Sequence, residues 1–288
     1  MSFNIENFKR VIDWAYSDWH FISRIGFLGG EPTLHKNFNT FLDYTLSKKF
    51  GVLVFTNGMV SDPTFYLGVI ETAYKNEVTC FSHLGFCVNI NEAIYRNKDE
   101  DELQKLFFSK LGGVSSLSFN IFEERFDPLF LFDTLDEFKM VRNIRLGLSS
   151  PLGNKNIYIK PNNYSIISDK LSKFIETAED KHVTINLDCG FPACVFDDTT
   201  LKHILNKVRV KFTCSPVIDV YPDLTVSYCY PMAENIKCNL LDYSTYLDLS
   251  KVWLNKIKEY PPIYDRCPTC DYYNSICDGG CKAHKLNA

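Results

Sequence analysis

The sequence predicts an α/β fold, a parallel sheet or part-barrel with helices on its outside, followed by a cysteine-rich segment of loops. Three observations lead there. Short apolar runs alternate with amphipathic helical stretches from the N-terminus to about residue 188. The runs end near Leu28, Thr56, Ile90, Phe122, Ser149 and Asp188, mostly about thirty residues apart, which is the length of one βα unit. Four cysteines, Cys267, Cys270, Cys277 and Cys281, crowd into the last twenty-two residues.

In chain order, Ile5, Phe8, Ile12 and Ala15 fall at helical spacing between Asn4 and Tyr16. Phe21 to Leu28 reads as a short strand that ends in Gly29-Gly30-Glu31-Pro32, and a helix follows near Lys36 to Lys48 with Phe38, Phe41, Leu42 and Leu46 inward. Val52 to Thr56 is a continuous apolar run with β-branched residues, as expected of a strand buried on both faces. Asn57-Gly58 ends it, and a helix begins at Pro63 and runs to Tyr74. The cycle repeats with strands at Gly85 to Asn91, Leu117 to Phe122, Ile144 to Ser149 and Val183 to Asp188. Helices fall between them at Glu100 to Leu111, Leu129 to Met140 and Ile166 to Glu179. Beyond about Arg209 cysteine, proline and tyrosine rise, and only Tyr243 to Ile257 reads as helical. Short loops around metal, with little core of their own, are expected there.

Composition narrows the function classes. The chain has 288 residues, enough for one large domain or one domain with an appendage, and 23 Phe and 16 Tyr give it ample core. A net charge of −4 without a Lys/Arg block removes the footprint of a nucleic-acid binder. No run of eighteen apolar residues suggests a membrane span, and Met1-Ser2-Phe3-Asn4 begins no signal peptide. Eleven cysteines without an export signal point to reduced thiols in the cytoplasm, hence to metal or redox chemistry over disulfides.

Buried structural cysteines are scattered singly among apolar neighbours, whereas here four thiols stand within fifteen positions. Thiolates are soft ligands, and a Cys-x2-Cys pair lets two sulfurs reach one metal across a tight turn. Gly279 and Gly280, just before Cys281, allow positive φ or close approach of backbone to the metal. In parallel βα folds functional groups gather at the C-terminal ends of strands, and Gly29-Gly30-Glu31-Pro32 lies at such an end. Its glycines open backbone amides to a ligand, its carboxylate can hold an ammonium group, and Pro32 stiffens the exit. A Gly-Gly turn beside a surface Glu is the plain alternative. Asn89 and Asn91 share one face of their strand, as Ser118 and Asn120 do on theirs. Polar groups on apolar strands are costly unless hydrogen-bonded, so these either face a ligand or are satisfied core polars.

A strand ending in Leu28-Gly29-Gly30-Glu31-Pro32-Thr33-Leu34-His35, then a strand ending in Thr56-Asn57-Gly58, resembles the radical S-adenosylmethionine enzymes. The tail resembles their SPASM extension, which carries auxiliary iron–sulfur clusters: Cys214 and Cys229 match its first cysteine pair, and Cys267, Cys270, Cys277 and Cys281 match its knuckle. The two likenesses cover nearly the whole chain, in the family's order. They imply a partial (β/α)6 TIM-like barrel lacking its first strand over residues 1–188, and a SPASM-like cysteine-rich domain over residues 189–288. By the same resemblance Gly29, Gly30, Glu31 and Pro32 cradle the amino end of S-adenosylmethionine, while Thr56, Asn57, Asn89 and Asn120 lie near its ribose and carboxylate. Cys214, Cys229 and Cys281 share one auxiliary [4Fe–4S] cluster, with Cys189 or Cys194 as its fourth ligand. Cys267, Cys270 and Cys277 start a second. The implied activity is reductive cleavage of S-adenosylmethionine to a deoxyadenosyl radical that takes a hydrogen atom from substrate. A peptide or protein is the implied substrate, and a flavodoxin or ferredoxin the implied electron donor.

The chain also departs from the pattern. Six residues separate Cys270 from Cys277, one more than the pattern has, and Leu224 stands where it has glycine. No cysteine follows Cys281, which leaves the second cluster without its last ligand; Cys238 is a weak stand-in, and His284 follows the knuckle. A four-cysteine zinc site is therefore an alternative. The Cys-x3-Cys-x2-Cys motif that binds the reactive cluster occurs nowhere in the sequence. Either a further βα repeat precedes Met1 or another chain fills the gap, and the chain as written is expected to be inactive. The rival readings are a non-catalytic binding or electron-transfer relative and a zinc-stabilised scaffold. His20, His83, His182 and His203 read as surface or packing residues, Cys80 and Cys87 as core, and Asp219 and Asp223 as turn residues.

Overall fold

The computed structural model describes residues 2–150, 157–188, 190–207, 209–210, 212–214, 217–235 and 237–286. Helix α1 (Ile5–Ser17) is capped by Asn4, whose side chain accepts the Asn7 amide at 2.7 Å, and it turns Phe8, Ile12 and Ala15 inward. Strand and helix then alternate: β1 (Arg24–Phe27), α2 (Phe38–Ser47), β2 (Gly51–Thr56), α3 (Pro63–Lys75), β3 (Leu84–Asn89), α4 (Lys98–Leu111) and β4 (Ser115–Ile121). The pattern continues through α5 (Phe130–Glu137), β5 (Asn143–Leu148), α6 (Tyr164–Asp180), β6 (Thr184–Leu187), α7 (Asp198–Lys207) and β7 (Arg209–Val210). Local signals set the helix starts. Asp62 caps α3 ahead of Pro63, and Asn97 and Glu100 exchange side-chain and backbone hydrogen bonds at the start of α4.

The strands form one parallel sheet in sequential order from β1 to β7, the order of a barrel wall, with β1 and β7 at its ends and not paired to each other. Alternation assigns the two faces. Val52, Val54, Phe86, Val88, Leu117, Phe119, Ile144 and Leu146 are buried in the main apolar cluster under the helices. The opposite face carries a polar row, because the register sets Asn89 beside Ser118, Ser118 beside Arg145 and Arg145 beside Asn186. All six expected strands and the helices between them are present. Helix α7 and the two-residue β7 are additions that carry the parallel sheet past residue 188.

The C-terminal stretch holds more regular structure than loops. Strands β8 (Asp219–Val220), β9 (Thr225–Ser227) and β10 (Lys237–Asn239) make an antiparallel sheet in the order β10–β9–β8. Helix α8 (Tyr246–Ile257) and the short α9 (Lys282–Leu286) follow. This sheet and α8 enclose a second apolar cluster that includes Val226, Tyr228, Leu249 and Trp253. Helix α1 reaches it through Trp14, whose indole N–H donates to the Tyr243 carbonyl at 2.7 Å. Leu224, in place of a glycine, keeps a left-handed backbone at φ 67° in the turn before β9, where burial of its side chain in this cluster offsets the strain. No helix among the described residues is long and apolar enough to cross a membrane.

Candidate functional site

The strand ends put the first group of candidate residues at one mouth. Gly29 and Gly30 leave β1 with φ of 96° and 56°, and a Cβ at either would meet nothing within 4 Å, so their backbone is open on one side. Glu31 then caps the short turn Pro32–Leu34, with Pro32 at its first position. Its carboxylate is heavily used. Oε1 accepts the Thr33 amide at 3.2 Å and the Thr33 and Thr56 hydroxyls at 2.7 Å each, and Oε2 accepts the Asn57 amide at 2.8 Å. Glu31 thus ties the exit of β1 to the exit of β2. Asn57 folds back to accept the Met59 amide at 2.8 Å, which makes its side chain a turn former.

Beneath the mouth, Asn120 donates to the Asn89 side chain at 3.1 Å, and Arg145 donates to Ser118 Oγ at 3.0 Å and pairs with Asp188. Gln104, buried on the inner side of α4, donates to the Asn57 carbonyl at 2.7 Å and the Asn89 carbonyl at 3.2 Å. Neither Gln104 nor Arg145 was among the expected site residues. Gln104 is a polar side chain on the otherwise apolar stripe of Phe107, Phe108 and Leu111, and that was its available signal, whereas Arg145 lies on the polar face of β5 beside Ser118.

Replacement of Glu31 by glutamine is expected to lower stability by roughly 2 kcal/mol, the scale of a hydrogen bond to a charged group. The amide nitrogen must face an N–H or O–H that now has no acceptor. Urea unfolding checks this, with Leu34→Ala, an exposed position, as the neutral control. An unchanged midpoint for Glu31→Gln would show that the clamp contributes nothing.

The cysteines sort into two hollows. The first is lined by Cys214, Cys229 and Cys281 with Gly190, Tyr228 and Asp278. It lies at the seam of the two apolar clusters, with Phe212 from the main one and Met232 from the other on its wall. Asp278 accepts the Cys214 amide at 2.6 Å, and Tyr228 donates to the Cys214 carbonyl at 3.0 Å. Burial pushes the Cys214 thiol up to about 11 and the Cys229 thiol up to about 12, and raises Cys281. Such thiols stay protonated until a cation displaces the protons. Cys189 lies outside the described residues.

The second hollow is lined by Cys194, Cys267, Cys270 and Cys277. Cys267 and Cys270 are joined by a tight turn in which the Cys270 amide donates to the Cys267 carbonyl at 3.0 Å. The longer loop to Cys277 is absorbed at Asn274, with φ 60°, and closed by the Cys277 amide donating to the Tyr272 carbonyl at 3.0 Å. The Gly279 amide donates to Cys277 Sγ at 3.3 Å. Gly279 and Gly280 have φ of 87° and 79°, and a Cβ on Gly279 would lie 2.3 Å from Pro262 Cβ. Among the described residues no three His, Cys, Asp or Glu side chains close on a point that could hold one metal ion. The donor set is thiol only, which suits iron–sulfur clusters or zinc.

The remaining candidates stand apart. Cys238 pairs with Val226 on β10 and lines neither hollow. His284 is buried with its Nδ1 3.1 Å from the Tyr164 hydroxyl, and burial holds it down to about 4, hence neutral. Cys87 is core as expected, but Cys80 is exposed, because it sits in the loop ahead of β3 where its sulfur is 2.8 Å from Ser82 Oγ. Asp223 forms the turn before Thr225, whereas Asp219 stands on β8, and burial pushes its carboxyl up to about 6.

No protein-family model matches the chain, and no curated protein matches it. Solved structures do. SuiB of Streptococcus suis bound to S-adenosylmethionine superposes with a TM-score of 0.64 at 13% identity, over 98% of this chain and 67% of that one. SuiB alone gives 0.66 at 13% identity, over 98% and 68%. SuiB bound to the precursor peptide SuiA gives 0.66 at 13% identity, over 98% and 66%. The chain spans about two thirds of the length of SuiB and has its fold.

Proposed function

We propose that this chain is the sheet and auxiliary-cluster portion of a radical S-adenosylmethionine enzyme of the SPASM type that modifies a peptide. The observation that carries the reading is the sorting of seven matched or candidate cysteines into two thiol-lined hollows, in a chain whose strand ends open a Gly29-Gly30 mouth. The open backbone of Gly29 and Gly30 fits the amino end of S-adenosylmethionine. Glu31 and Pro32 hold that loop against Thr56 and Asn57, and Asn89 and Asn120 stand beneath it toward the ribose and carboxylate. S-adenosylmethionine, when bound and reductively cleaved, supplies the radical chemistry. The Cys-x3-Cys-x2-Cys segment for that cleavage is not among these 288 residues, so the activity proposed is that of the whole enzyme.

Cys214, Cys229 and Cys281, with Cys189 upstream, hold one auxiliary [4Fe–4S] cluster. Cys267, Cys270 and Cys277 belong to a second. The division proposed is a sheet unit over residues 1–188 and a cysteine-rich unit over residues 189–288; the second apolar cluster is built from Leu224 onward, and α7 and β7 continue the parallel sheet past that boundary. A peptide substrate is supported by the likeness to SuiB in complex with its precursor peptide. A flavodoxin or ferredoxin in the cytoplasm supplies electrons. Anaerobic purification with iron, sulfide and zinc analysis tests the reading: iron and sulfide in equal amounts are expected, and stoichiometric zinc without sulfide would overturn it.

A further inference from the structure

The sequence pattern leaves Cys267, Cys270 and Cys277 one thiol short, and the structure supplies a thiol from an unexpected place. Ala193 and Val195 are buried in the main apolar cluster, so the turn between them must present Cys194 outward. The turn is fixed at both ends, with the Val195 amide donating to Pro192 at 3.1 Å and the Phe196 amide to Ala193 at 3.2 Å. The knuckle docks on this spot. A Cβ on Gly280 would lie 3.4 Å from Pro192 Cβ, and the Tyr272 hydroxyl donates to Asp198 at 2.7 Å, four residues beyond Cys194. Cys194 is exposed at the rim of the second hollow, whose wall it shares with Cys267, Cys270 and Cys277. The Arg266 guanidinium lies close enough to Cys194 to act on it electrostatically. A guanidinium at this rim complements the negative charge of a thiolate-bound cluster. Cys194 is not on the wall of the first hollow, and Cys238 is on neither.

We propose that Cys194 is the fourth ligand of the second site, completing a four-cysteine set with Cys267, Cys270 and Cys277, and that it does not serve the first. This rests on the reading of the cysteines as cluster ligands. Four thiolates cap all four irons of a [4Fe–4S] cluster, whereas three leave one iron open to loss.

The test uses the full chain reconstituted anaerobically with iron and sulfide. The triple variant Cys214→Ala/Cys229→Ala/Cys281→Ala isolates the second site and is expected to retain roughly half of the wild-type iron, one cluster of two. Adding Cys194→Ala is expected to remove most of that iron or to leave a three-iron cluster by electron paramagnetic resonance, while adding Cys238→Ala changes nothing. Full iron retention on adding Cys194→Ala overturns the proposal. So does loss of the remaining cluster when Cys194→Ala is added to Cys267→Ala/Cys270→Ala/Cys277→Ala. Should a triple variant not fold, single variants decide: the spectrum of Cys194→Ala must match that of Cys267→Ala and differ from that of Cys214→Ala. A chain that takes up zinc without sulfide ends the cluster reading, and zinc counted in the same variants then judges Cys194 independently.

Discussion

Replacing Gly279 with alanine is expected to destabilise the protein by roughly 2–4 kcal/mol and to empty the second thiol-lined hollow of metal. Two effects add. The residue sits at φ 87°, which an L side chain rarely adopts, and the new Cβ would lie 2.3 Å from Pro262 Cβ and 3.1 Å from Pro262 Cα. Backbone cannot yield as a flexible side-chain tip can, so the turn must lift away from Pro262. The Gly279 carbonyl, which accepts the Ile263 amide at 2.9 Å, and the Gly279 amide on Cys277 Sγ move with it. Gly113→Ala is the control, because a Cβ there meets nothing within 4 Å and the φ is ordinary. Its change should stay within about 0.5 kcal/mol. Thermal unfolding and metal analysis read both variants, and a Gly279→Ala protein with wild-type melting and metal content would refute the docking described for the knuckle.

Trp253→Ala should cost about 3–5 kcal/mol, the range for a fully buried aromatic. Trp253 has no exposed surface, and its ring centroid lies 5.7 Å from that of Tyr228. Tyr228 in turn donates to the Cys214 carbonyl, so the cavity opens behind the wall of the first hollow. Trp253→Phe separates packing from polarity. The buried indole N–H has no hydrogen-bond partner among the described residues, and its removal relieves a desolvation cost that partly offsets the lost ring volume. Urea midpoints should therefore fall far more for alanine than for phenylalanine. Equal losses would mean that the N–H is satisfied in solution.

The parallel sheet was legible from its apolar runs spaced one βα unit apart, but the run Val52 to Thr56, expected to be buried on both faces, alternates: Val52 and Val54 are buried, while Leu53 and Phe55 on the mouth side stay partly exposed. Helix α7 and β7 were not legible, since a two-residue strand shows no period. The same shortness hid β8, β9 and β10. At the mouth, the Gly29-Gly30 turn was legible from residue type, while the work of Glu31 was not. Its partners Thr56 and Asn57 lie a full βα unit away, and the sequence offers a free carboxylate where folding delivers a clamped one. The knuckle thiols declared themselves by local spacing. Cys194 is seventy-three residues from Cys267; the resemblance offered it, with Cys189, to the first cluster, and only packing brought its turn to the knuckle.

The seam position of the first hollow bears on how the chain assembles. Its thiols come from segments flanking β8 and β9 and from the start of α9, while the second hollow joins the end of the β6 loop to the knuckle. A cofactor bound at either place is a covalent staple across a long stretch of chain. Bridging residues as far apart as Cys194 and Cys267 removes loop freedom worth about 4 kcal/mol from the unfolded state, by the arithmetic used for disulfides. With the proposed clusters bound, metal supply would govern the lifetime of the C-terminal third more than that of the sheet. Iron starvation should expose that third to proteolysis first.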